Sequence, residues 1–159
     1  MRTYEILINE EAQELTNENR NVILAQTSDA TPTGTPLSAL RDYLSSEDTP
    51  AYLGKIPNEQ PNCIGVYGLA SFPMVEAIGK ESSYDIAGFR ILIHGNMNAR
   101  ATETLARTVY ESLKYVDGVQ MGDYFVQYIE LDNSEPTFIG TDENNVYEFH
   151  VSGRIYYRR

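Results

Sequence analysis

Residues 88–118, "GFRILIHGNMNARATETLARTVYESLKYVDG", constrain this chain more than any other stretch. Over 88–96 the side chains alternate, with Phe89, Ile91 and Ile93 on one face and Arg90, Leu92 and His94 on the other. That is the period of a half-buried strand. The period then changes. Over 97–118 Ala101, Leu105, Val109, Leu113 and Val116 recur at helical spacing, Ala106 and Tyr110 widen the face, and Gly118 stands just beyond it, where a helix end favours glycine. At 1.5 Å per residue such a helix is about 30 Å long, and an apolar stripe of that length must be buried against something. The economical cover is a twisted sheet that carries its helices on one side.

The rest of the chain supplies that sheet. "CIGVYGL" (63–69) predicts a buried strand, "DYFVQYIEL" (123–131) a third, and "VYEFHVSGRIYY" (146–157) a fourth and longest. In the last, Tyr147, Phe149, Val151, Ile155 and Tyr157 alternate with Glu148, His150, Ser152 and Arg154. The final two strands, joined by a turn-rich connection, read as an antiparallel hairpin. A second helix is predicted to start with Thr35 as N-cap and Pro36 at the first helical position, where a missing N–H costs nothing. Leu37, Leu40, Tyr43 and Leu44 form its stripe, and it ends before Pro50. Residues 51–62 are turn-rich, and 70–86 read as a long loop or irregular hairpin. Upstream, Tyr4, Leu7, Ile8, Ala12 and Leu15 predict a further helix over 4–15, "VILAQ" (22–26) is a short apolar run, and "TSDATPTGTP" (27–36) has the composition of a linker. The expectation is an N-terminal arm over 1–35 and one α+β domain over 36–159. Its fold would be a single, mostly antiparallel sheet of about four strands with helices on one face.

A chain of 159 residues with 42% hydrophobic content is long enough to bury a core without disulfides or metals. A formal net charge of −11 and the absence of a Lys/Arg cluster argue against binding nucleic acid by neutralising phosphates. The same charge suits either plain solubility or a passage along which DNA slides without adhering. Cys63 is the single cysteine, which excludes an internal disulfide and a cysteine-based zinc site; within "NCIGVY" it reads as a small apolar strand residue. No apolar run approaches the length of a membrane span, and the first residues turn acidic at once. A soluble protein made in a reducing cytoplasm is expected.

His94 and His150 both fall on the polar parity of their strands. If those strands were neighbours, the rings and Glu148 would outline a two-histidine metal site, the basis of a metal-hydrolase reading; with no third ligand fixed, surface histidines are the plainer one. No nucleophile triad, phosphate loop or calcium loop appears, so catalytic, cofactor-binding and metal residues are all expected to be absent. Asp142 and Glu143 are adjacent, and in an extended segment they would point opposite ways. "DENN" reads instead as a turn whose side chains cap their own backbone.

Taken in order, "LRDYL…AYLGKIPNEQPNCIGVYG", the strand "FRILIHG" leading into "NARATETLARTVYESLKYVDG", and "EPTFIGTDENNVYEFHVSGRIYY" resemble the minor capsid and tail-terminator proteins of tailed bacteriophages over residues 36–159, with residues 1–35 departing from the pattern. The resemblance implies a structural virion protein of the head–tail junction, produced in the bacterial host cytoplasm. It implies a homo-oligomeric ring, a hexamer, whose subunits join through sheet edges and extended loops. One surface of the ring would meet the tail-tube protein and another the head-completion or connector protein, with DNA passing through the lumen and no membrane involved. On that footing Pro136, Phe138, Gly140, Asp142 and Glu143 form a candidate assembly loop, Pro136 and Gly140 shaping it and the two carboxylates tuning polar contacts. The competing readings are a free solvated loop, a head-completion (neck) protein of the same junction, and a small non-catalytic ligand-binding α+β domain.

Overall fold

The computed structural model describes residues 33–57, 60–70 and 84–158. The helix expected over 4–15, the run 22–26, most of the linker and residues 71–83 of the expected loop lie outside them, as does nearly all of the proposed arm. The described elements are α1 (Pro36–Leu44), β1 (Ala51–Leu53), β2 (Cys63–Gly68), β3 (Asp85–His94), α2 (Ala99–Lys114), β4 (Asp117–Met121), β5 (Tyr124–Leu131), β6 (Thr137–Thr141) and β7 (Tyr147–Arg158).

The sheet has seven strands rather than about four, in the order β1-β2-β3-β7-β5-β4, with β6 also paired to β7. All neighbours are antiparallel except β1 and β2. The three unexpected strands are short or poor in strand-forming residues. β1 lies in the turn-rich stretch and exists through its parallel pairing with Ile64–Val66. β4 holds Gly118 at φ +64, where the sequence suggested the end of the helix. β6 lies within the connection expected to be a bare turn. In addition, β3 begins at Asp85, inside the stretch expected to be a loop. β7 organises the sheet: β3 runs along one side of it, while β5 and β6 share the other, β5 against residues 153–158 and β6 against 147–150.

Both helices contribute to one core. Phe89, Ile91 and Ile93 are fully buried beside Ile64, Val66, Val151 and Ile155, together with Leu40 of α1 and Ala106, Val109, Tyr110 and Leu113 of α2. The α1 N-terminus forms as expected: Ser38 N–H donates to Thr35 Oγ1 at 3.2 Å and Thr35 N–H to Ser38 Oγ at 2.8 Å, each satisfying an amide the helix leaves free. Tyr43 is exposed, so the α1 stripe reduces to Leu37, Ala39, Leu40 and Leu44.

α2 is shorter than 97–118, running from an Asn98 cap to Tyr115. Its buried face is rotated towards Thr102, which is fully buried, while Ala101 is exposed and Leu105 half-buried. The rotation has a local cause. Thr102 Oγ1 accepts the Asn96 N–H at 3.1 Å and lies 3.1 Å from the Asn98 carbonyl, to which it donates. A Cβ on Gly95 would come within 2.1 Å of that oxygen. The strand-to-helix junction therefore closes on glycine opposite threonine. No described helix is long and apolar enough to cross a membrane.

Candidate functional site

With the helices on the Phe89–Ile93 side, the opposite sheet face carries Tyr67, Arg90, Leu92 and His94, then Glu148, His150, Ser152, Arg154 and Tyr156, then Tyr128 and Glu130, as the strand registers require. Two segments border its β3–β7 end. One is the loop after β1, whose Ile56 side chain would meet a Cβ on Gly65 at 3.0 Å. The other is the β6–β7 turn. Between them lies a cleft of about 410 Å³ lined by Ile56, Pro57, Leu92, His94, Asp142, Glu143, Asn144 and Glu148.

The β6–β7 turn is self-capped, as "DENN" suggested. Asp142 Oδ1 accepts the N–H of Asn144 at 2.9 Å and of Val146 at 2.8 Å, and Asn145 takes φ +59, a left-handed conformation that asparagine tolerates. The Val146 amide, helped by that of Asn144 and by His94, holds the Asp142 carboxyl below its usual pKa of 3.8. A depressed carboxylate pKa means the stabilisation is complete above the unfolded value and is lost as pH falls through the folded one. The turn should accordingly hold at neutral pH and loosen only in acid below about 3.8. An NMR titration of the Asp142 carboxyl is expected to give a midpoint under that value and to shift the Val146 amide in step; independent movement of the two would contradict the lock.

His94 Nδ1 lies 3.0 Å from Glu148 Oε1, and Nε2 lies 4.0 Å from Asp142 Oδ2. β3 and β7 are indeed neighbours, but His94 stands opposite Glu148 and His150 opposite Leu92. Among the described residues no group of three or more His, Cys, Asp or Glu side chains is arranged to hold a metal ion. Cys63 is buried beneath the same loop and donates to the Gln60 carbonyl at 3.2 Å. Burial, with Glu148 nearby, pushes its thiol up to about 11, so it stays protonated and unreactive at neutral pH.

The candidate loop residues do not converge on one point. Asp142 and Glu143 border the cleft, whereas the β6–β7 register puts Phe138 opposite Phe149 on the helix side of the sheet. There its ring lies 5.3 Å from Phe149 and 6.1 Å from Tyr147. Gly140, at φ +142, sits where the β6–β7 register shifts past Ile139, a bulge conformation that side chains rarely adopt. Pro136 is half-buried just ahead of β6. Phe138 and Ile139 are 53% and 51% exposed. Adjacent apolar side chains on an edge strand are unusual, because proteins blunt such edges against association.

Two features escaped the sequence reading. Leu53 on β1 is 46% exposed. On the sheet face opposite α1 and α2, Tyr128 stacks on Tyr156 with centroids 4.3 Å apart. The Tyr156 hydroxyl and Arg154 Nη1 both donate to Glu130 Oε2, at 2.8 and 2.9 Å, and Ser152 Oγ donates to Asp132 at 2.8 Å. The shared parity of Tyr128 and Glu130, and of Arg154 and Tyr156, was the signal available; it needed the strand register to be read.

Comparison with known families gives a match over residues 10–158 to a family described as bacteriophage tail terminator protein. The match reaches back to residue 10, into the stretch that the resemblance had set apart. No curated protein matches the chain.

Proposed function

Because this chain belongs to the bacteriophage tail terminator family, we propose that it is a structural subunit of a ring, a hexamer, that caps the tail tube and joins it to the head connector. Family membership makes it a component of the phage virion that works with other head or tail proteins. It is also the ground for preferring the tail side of the junction to a neck protein, and self-assembly to catalysis. The observation that carries the ring reading is the β6 edge. A five-residue strand exposing Phe138 and Ile139 is poorly suited to a monomer and well suited to a subunit contact. The mass of the native particle tests this directly. A hexamer is expected; a protein that remains one chain with and without the tail-tube protein would overturn the ring.

The closing loop, Pro136 to Glu143, belongs to the contact in this reading. Asp142 holds the turn and Glu143 does not, so replacing Glu143 alone separates interface from fold. Glu143→Ala is expected to melt like the parent chain yet assemble less well; normal assembly would leave Glu143 a solvated side chain. The excess of 23 acidic over 12 basic residues suits a lumen wall from which DNA phosphates are repelled. The ring is expected to show no measurable DNA affinity at physiological salt. Tight binding there would reverse the assignment of that wall.

A further inference from the structure

We propose that the sheet of one copy continues into the next, with β6 pairing antiparallel to β1 of a second copy through Phe138 and Leu53. The proposal rests on the ring reading and names the strands that would close it.

Main-chain direction gives the first support. Asp142 N–H bonds to the Val146 carbonyl, and Tyr147 bonds both ways across to Gly95 and Asn96. In an antiparallel ladder the residues alternate between facing one neighbour and the other. Counting back along β7 and across the bulge, Gly140 and Thr137 face β7, while Phe138 and Thr141 turn their N–H and C=O outwards. On β1, Ile64 N–H bonds to the Pro50 carbonyl and Gly54 N–H to the Val66 carbonyl. Pro50, Tyr52 and Gly54 therefore face β2, and Ala51 and Leu53 face out. The Ala51 N–H is taken by Ser45 Oγ at 3.2 Å, which leaves Leu53 with both groups outward. Among the described residues β6 pairs with β7 alone and β1 with β2 alone.

Side-chain parity and charge agree with this. Phe138 lies opposite Phe149, and Leu53 opposite Val66, so both project on the helix side of the sheet. Set opposite each other in one continuous sheet, they would be cross-strand neighbours on the same face. β6 reads "TFIGT" and β1 reads "AYL", neither with a charge, in a chain of net charge −11 whose copies otherwise repel. The remaining edge, β4, carries Asp117. Strand sense closes the geometry. β1, β2 and β7 run one way and β3 and β6 the other, so a copy that continues the sheet in the same sense brings β1 antiparallel to β6. The contact joins two different patches, which is what a ring of more than two subunits needs.

Cys63 is the single cysteine and is buried, so introduced thiols can be read alone. The full chain carrying Leu53→Cys and Phe138→Cys, treated with a short bifunctional maleimide, is expected to give a ladder of covalent multimers ending at ring size. Each single variant should stay monomeric on the denaturing gel. Covalent dimers from Phe138→Cys alone would overturn the pairing in favour of a two-fold β6–β6 contact. A native ring without any ladder would overturn it and leave the ring reading standing. A native mass of one chain would remove both. Separately, Phe138→Pro deletes the outward N–H while leaving the β6–β7 bonds in place, and is expected to weaken self-association at least tenfold more than Phe138→Ala. Equal association of the two would overturn the main-chain pairing, and if Phe138→Pro does not fold, the cross-link decides.

Discussion

Leu113→Ala should lower the unfolding free energy by about 2–5 kcal/mol, the cost of deleting a buried leucine and leaving part of its cavity behind. Leu113 has no exposed surface and lies in the same cluster as Phe89, Ile91 and Ile155, so the helix-to-sheet contact runs through it. For a domain whose total stability is about 5–15 kcal/mol, such a loss is a large share of the whole. Leu105→Ala provides the comparison. Leu105 is only half-buried, because the helix turns Thr102 rather than Ala101 into the core, and the cost should be clearly smaller. Urea unfolding of the two variants in parallel checks both statements. Equal midpoints would mean that the helix face has been placed wrongly, and an unchanged midpoint for Leu113→Ala would remove the helix from the core altogether.

The elements legible in the sequence were those whose own side chains carry a period. The alternation of Phe89, Ile91 and Ile93 and the spacing of Val109 and Leu113 reflect burial against a single layer, so pattern and structure coincide there. The strands that were missed have their reason elsewhere. Ala51–Leu53 is a strand because Ile64–Val66 lies beside it, and Thr137–Thr141 because β5 reaches only the second half of β7 and leaves the first half to it. Neither fact is local, and three to five residues are too few for a period to show. Thr102 displaced Ala101 from the helix face through the Asn96 amide and the closeness of Gly95, a three-body arrangement that spacing alone does not encode.

The closing stretch was partly legible for the same reason. The Asp142 turn is an interaction within five residues, so composition announced it. The division of labour around it was not local. Glu143 borders the His94 cleft because it lies in the β6–β7 turn, and Phe138 faces the helix side because its partner across the register is Phe149, ahead of a bulge at Ile139 and Gly140. A bulge changes which side chains share a face, and sequence parity cannot be carried through it.

Gly153→Ala is expected to be the most damaging of the conservative changes. The position is not one of unusual backbone conformation; its constraint is space. A Cβ there would lie 2.2 Å from the Glu130 carbonyl oxygen and 3.1 Å from Phe89 Cζ, and a main-chain carbonyl in a paired strand cannot step aside as a side chain would. Overfilling a core typically costs about 1–3 kcal/mol and occasionally more; a backbone obstacle puts this case at the upper end. The injury should also be visible at a distance from the glycine. Glu130 is the residue whose carbonyl is displaced, and its carboxylate accepts the Tyr156 hydroxyl, the main reason that hydroxyl is pushed up to about 12. For a raised pKa, the contribution to stability is full below the unfolded value of about 10 and disappears as pH rises through the folded one. Moving β5 should break that bond and bring the Tyr156 titration back towards about 10, which ring-labelled tyrosine NMR would register. Gly153→Ala with the parent's melting temperature and an unmoved Tyr156 titration would show that β5 and β7 do not approach so closely. A lower melting temperature with Tyr156 unmoved would place the cost on Phe89 instead.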